Sequence, residues 1–95
     1  MKLEWDEAKA TFNLRRHGVV FAEAARFEFD TALCGVDDDL AYGEERIKAY
    51  GFIGATLRVL IYVERAEVLR IISLRNASKQ EIRIYAEFLT KGWYP

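Results

Sequence analysis

Between residues 31 and 76 the chain carries four β-type runs separated by reversals too short for a helical crossover, and that spacing dictates antiparallel pairing. The clearest is 57–64, where Leu57, Val59, Ile61 and Val63 alternate with Arg58, Leu60, Tyr62 and Glu64, the two-residue period of a strand with two distinct faces. Runs at 31–36 and 44–52 precede it, with Gly51 as an expected bulge, and a run at 68–76 follows a turn at 65–67. Asp37, Asp38 and Asp39 are the expected turn between the first two runs, and Gly54, Ala55 and Thr56 mark the next reversal. A four-stranded antiparallel meander is expected.

Helix signals flank the meander. Asp6 is a good N-cap, Glu7 sits in the first turn, and Arg15, Arg16 and His17 occupy the last turn before Gly18. A second, Ala-rich helix is expected at 21–27 after the two-residue link Val19-Val20. Ser78-Lys79-Gln80-Glu81 fits the S-x-x-E capping box, opening a helix with Ile82, Ala86 and Leu89 on one stripe and Glu81, Tyr85 and Phe88 on its neighbour. Lys91-Gly92 ends it, and Trp93 and Tyr94 follow. Ninety-five residues at 52% hydrophobic content suffice for one core and not two, so residues 1–95 read as one α+β domain: two N-terminal helices, four antiparallel strands and a C-terminal helix.

One Cys, Cys34, and one His, His17, cannot build a thiolate or imidazole metal cage, and no internal disulfide can form. The acidic triple lacks the order of a calcium loop. No cofactor or metal is expected. The apolar runs are too short for a membrane span and the N-terminal LEWDEAK does not resemble a signal peptide, so the expected location is cytoplasmic. At a formal net charge of -1 the chain has no global basic field, and nucleic-acid binding requires a local patch.

Such a patch exists. The stretch 70–85 holds Arg70, Arg75, Lys79 and Arg83 against one acid, Glu81, where a strand runs straight into a helix. Free N–H groups at a helix start favour an anion, and guanidinium matches phosphate. Arg70 and Arg75, with Arg46 on the earlier strand, are the candidate phosphate ligands; each also has the plain reading of a cross-strand partner for an acid such as Glu44, Glu64 or Glu67. In a regular strand Arg70 and Arg75, five apart, point to opposite faces, so a bend near 74–76 decides whether both reach one anion. His17 is the one side chain that titrates near neutrality when unperturbed; in the last helical turn it can equally bond terminal carbonyls. Glu81 can accept a proton or simply complete the cap, and Tyr85 can orient a phosphate or pack on the sheet.

In order and spacing these pieces resemble the BrnT family of toxins from bacterial type II toxin–antitoxin systems. The N-terminal match is Trp5-Asp6, Lys9, Asn13-Leu14 and Arg16-His17-Gly18; the C-terminal match is Arg70-Ile71-Ile72-Ser73, Arg75, Ala77-Ser78, Glu81 and Tyr85. Phe21, Glu23-Ala24-Ala25, Gly43-Glu44-Glu45-Arg46, Tyr62 and Glu64-Arg65 lie between. The resemblance implies a RelE-like fold and an endoribonuclease that inhibits translation. It further implies neutralisation by a ribbon-helix-helix antitoxin, with operator DNA bound only through the complex of the two. Joined to the residue reading, it gives metal-independent RNA cleavage with Arg70, Arg75 and Arg46 on the phosphate, His17 or Glu81 in proton transfer and Tyr85 in orientation. Two rivals stay open: a non-catalytic protein- or nucleic-acid-binding module, and a metal-dependent nuclease using Asp37, Asp38 and Asp39.

Overall fold

The computed structural model describes residues 2–37 and 45–92. Its elements are β1 (Lys2–Glu4), α1 (Glu7–His17), 3-10 turns at Phe21–Arg26 and Phe29–Thr31, β2 (Leu33–Asp37), β3 (Arg46–Ile53), β4 (Thr56–Arg65), β5 (Val68–Asn76) and α2 (Lys79–Lys91). Asp38, Asp39 and Glu44, and the terminal aromatics Trp93 and Tyr94, lie outside the described residues.

The expected α+β class holds, with two corrections. Among the described residues the sheet has five strands in the order β1-β5-β4-β3-β2, and it is mixed, because β1 pairs with β5 in parallel while the other three pairings are antiparallel. A three-residue strand is too short to show a period, and its partner lies over sixty residues away in the chain. The second N-terminal helix is 3-10, not α. Its Phe27 N–H closes on the Ala24 carbonyl at 3.1 Å, an i to i−3 bond that ends the segment in six residues.

Caps fix both α-helices as their sequences demand. Asp6 accepts from the N–H groups of Ala8 and Lys9 at 2.8 and 3.2 Å. Gly18 (φ 71°) ends α1 in the left-handed conformation, its N–H bonding the Leu14 carbonyl at 2.8 Å. Ser78 and Glu81 form the complete capping box of α2.

Alternation along the strands gives the sheet two buried faces. On one, Ala49, Leu60, Tyr62, Leu69, Ile71 and Leu74 pack with Val19, Phe21, Ala24 and Phe27 from the segment after α1. On the other, Tyr50, Leu57 and Val59 pack with Tyr85 of α2. Of the two α2 stripes, the one carrying Glu81, Tyr85 and Phe88 meets the sheet, and Ile82 and Leu89 are exposed.

Gly51 is not a bulge: it pairs in register with Arg58. A Cβ there would come within 2.5 Å of the Phe27 ring, so close approach of that ring requires glycine. The bulge falls on β5. Ile61 faces Ser73 and Tyr62 faces Ile71, leaving Ile72 as the extra residue. One extra residue reverses the alternation beyond it, so Arg70 and Arg75 both project from the α2 face despite their odd separation. That is the bend the sequence required, placed two residues earlier than expected.

Candidate functional site

Where β5 hands over to α2, Arg75, Glu81 and Lys48 form a charged cluster. Both nitrogens of the Arg75 fork donate to Glu81, Nη1 to Oε1 at 2.7 Å and Nη2 to Oε2 at 2.9 Å. Oε1 also accepts the Ser78 N–H at 2.9 Å, and the Ser78 hydroxyl accepts the Glu81 N–H at 3.2 Å. Lys48 Nζ stands 3.5 Å from Glu81 Oε2 and 5.5 Å from the centroid of the Tyr50 ring. The Arg75 hydrogen bonds, aided by those from Ser78 and opposed by partial burial, hold the Glu81 carboxyl down at about 2. Glu81 is therefore a firmly ionised anchor, and a carboxylate so weakly basic is a poor proton acceptor near neutrality.

Two cations on one carboxylate leave this junction positive, and they remain reachable. The Arg75 and Lys48 side chains keep 28% and 34% of their exposure, against 11% for Glu81. An incoming anion can thus meet the cations without displacing Glu81.

His17, at the end of α1, lies close enough to this junction for the Arg75 charge to act on its imidazole. Asn13, one turn before it, is buried and bonds both backbone groups of Leu74, the residue next to Arg75. Partial burial, then the charges of Arg16 and Arg75, lower the His17 pKa below its usual 6.5. Its imidazole is mainly neutral at pH 7 and can accept a proton.

The remaining candidates take other positions. Arg70 donates to Glu4 Oε1 at 3.0 Å, and at about 3.3 Å per strand residue it lies roughly 15 Å along β5 from Arg75. Arg46 is buried at 9% exposure on the α2 face of β3, two residues before Lys48, and has an interaction of its own. The Tyr85 hydroxyl donates to the Thr31 carbonyl at 2.7 Å and its ring meets Phe52 edge-on, which ties α2 to the segment before β2.

Lys48 and Tyr50 escaped the sequence reading. A signal was present: both sit at even steps from Arg46, so a strand over that run puts all three on one face. Among the described residues no group of three or more His, Cys, Asp or Glu side chains is placed to hold a metal ion, and no helix is long and apolar enough to cross a membrane.

Fold and junction together define a class: a small α+β protein with a mixed sheet covered on both faces and a charged cluster where its last strand feeds its last helix. Residues 5–81 match the family model described as the ribonuclease toxin, BrnT, of type II toxin-antitoxin systems. The chain belongs to that family of ribonuclease toxins. Among curated proteins none matches the chain.

Proposed function

We propose that the chain, folded as a single domain and working in the cytoplasm, is an endoribonuclease that cleaves RNA without a metal ion and thereby inhibits translation. The observation that carries this reading is the Arg75–Glu81–Lys48 cluster at the α2 start, with His17 close enough to feel the Arg75 charge. RNA brings its own nucleophile, the 2′-OH, so the protein must orient the strand, take up one proton, stabilise the charged phosphorane and protonate the leaving oxygen.

In this mechanism Arg75 and Lys48 hold the scissile phosphate, and Glu81 fixes the plane of the Arg75 fork. Neutral His17 accepts the 2′-OH proton as the O2′–P bond forms. The P–O5′ bond breaks with the Lys48 ammonium as proton donor, leaving a 2′,3′-cyclic phosphate and a 5′-hydroxyl. Arg46 adds positive charge to the same face, and Tyr85 orients α2 from behind. Arg70, paired with Glu4, has no part in the chemical step.

The membership in a toxin–antitoxin family supports an antitoxin partner. We take it to be a ribbon-helix-helix protein that neutralises the toxin and brings the pair to operator DNA.

The test is incubation of the antitoxin-free protein, in chelator, with a single-stranded RNA and with the same strand carrying 2′-deoxy residues. Cleavage restricted to ribose positions is expected. RNA left intact over a range of salt, both with chelator and without it, would replace this reading with that of a non-catalytic binding module.

A further inference from the structure

Beside Lys48 lies a cavity that phosphate binding leaves unused. Its volume is about 180 Å3, and Leu33, Cys34, Gly35 and Val36 of β2 line it together with Lys48 and Tyr50 of β3. Side chains alternate along a strand, so four consecutive residues line one space only where the backbone between them is part of the wall. β2 ends the sheet order among the described residues, and an end strand presents outward N–H and C=O groups for hydrogen bonding. Among the described residues a Cβ at Gly35 would meet nothing within 4 Å, which leaves that wall open to a ligand.

We propose that this cavity receives one nucleobase of the RNA strand whose phosphate Arg75 and Lys48 hold; the proposal rests on the ribonuclease reading above. A base has apolar faces and a polar rim. Leu33, the Lys48 stem and Tyr50 offer the apolar surface, and the β2 backbone offers partners for the rim. The volume falls below the about 300–1,000 Å3 of pockets for larger ligands, so it suits a single ring system. Lys48 lines the cavity and also approaches Glu81 at 3.5 Å, which makes base and phosphate sites neighbours, as the two groups are in one nucleotide. The free wall at Gly35 is then a specificity determinant, because any side chain there occupies the base's space.

The experiment is an NMR titration of the full chain with the four nucleoside 3′-monophosphates and with ribose phosphate, which lacks a base. At least one nucleotide is expected to bind about tenfold tighter than ribose phosphate, the scale of one base partly enclosed by apolar side chains, and to shift the Gly35, Val36 and Lys48 amides. Gly35→Val should cancel that gain while keeping the melting temperature and the ribose phosphate affinity, and Gly35→Ala should remove part of it. Equal affinity for nucleotides and ribose phosphate, or a gain that survives Gly35→Val, would overturn the base site. Nucleotide binding of the expected kind with RNA left intact sinks the ribonuclease reading and keeps the base site. Cleaved RNA with no base-dependent gain does the reverse.

Discussion

Asn13 and Leu74 are joined by a pair of hydrogen bonds that imitates a strand pairing between a helix side chain and a strand. Asn13 Nδ2 donates to the Leu74 carbonyl at 2.7 Å, and Asn13 Oδ1 accepts the Leu74 N–H at 3.2 Å. The same Nδ2 also donates to the Val19 carbonyl at 3.0 Å, so one buried amide binds α1 to β5 and to the chain leaving α1. His17 is one turn on from Asn13, and Arg75 follows Leu74; the contact sets the spacing between the proposed base and the proposed phosphate ligand.

Asn13→Leu keeps the volume of that side chain and removes every one of its polar contacts. Three buried backbone groups then lack partners, and a loss of about 2–4 kcal/mol of stability is expected in urea denaturation. The His17 titration should shift as well, because α1 is freed from Arg75. An unchanged stability would mean that the amide is dispensable.

Glu81 sets an acid limit on stability. Its carboxyl is held at about 2 in the folded protein against 4.5 for the free group. The stabilisation is complete above the unfolded value and fades as pH falls through the folded one. Melting temperature should therefore drop on acidification from pH 4.5 towards 2, and Glu81→Gln should be less stable near neutrality with a flatter profile in that window. An identical acid profile for the two proteins would contradict the pairing.

Arg16 lies on the exposed side of α1, and its charge contributes, after burial, to the lowered His17 pKa. Removing it in Arg16→Gln should raise the imidazole pKa towards 6.5, measured by NMR. If His17 is the base, the acid limb of the RNA-cleavage profile moves up in step. An activity profile that stays put while the imidazole pKa rises removes His17 from the chemical step.

Lys48→Met keeps a long stem and deletes the ammonium. Losing one phosphate contact should weaken RNA binding, reduce the slope of log affinity against log salt by about 0.7, and lower kcat/KM by about tenfold to a hundredfold. Unaltered salt dependence would take Lys48 out of the phosphate site.

How far these groups could be read from sequence depended on the range of the signal. The α1 ends and the Ser78–Glu81 capping box are local chemistry, and they stand where Asp6, Gly18 and Ser78 put them. The strand β1 and the Ile72 bulge depend on partners far away in the chain, and neither leaves a mark in the local pattern. Gly51 suggests a bulge in sequence because its actual reason, the Phe27 ring packed against it, is a tertiary contact. At the site, Arg75 and Glu81 were visible as charge at a strand-to-helix step, whereas their mutual pairing and the turning of Arg70 towards Glu4 are set by the register of β5. Lys48 carries no motif of its own and is legible only through its even spacing from Arg46 on one strand.

The most direct measurement is the chemical identity of the RNA ends produced by the purified protein in excess chelator, read by mass spectrometry. Attack by the 2′-OH with His17 as base is expected to give 2′,3′-cyclic phosphate and 5′-hydroxyl termini, and His17→Ala to suppress them. Products carrying 5′-phosphate, or cleavage abolished by the chelator, would contradict the mechanism at its centre.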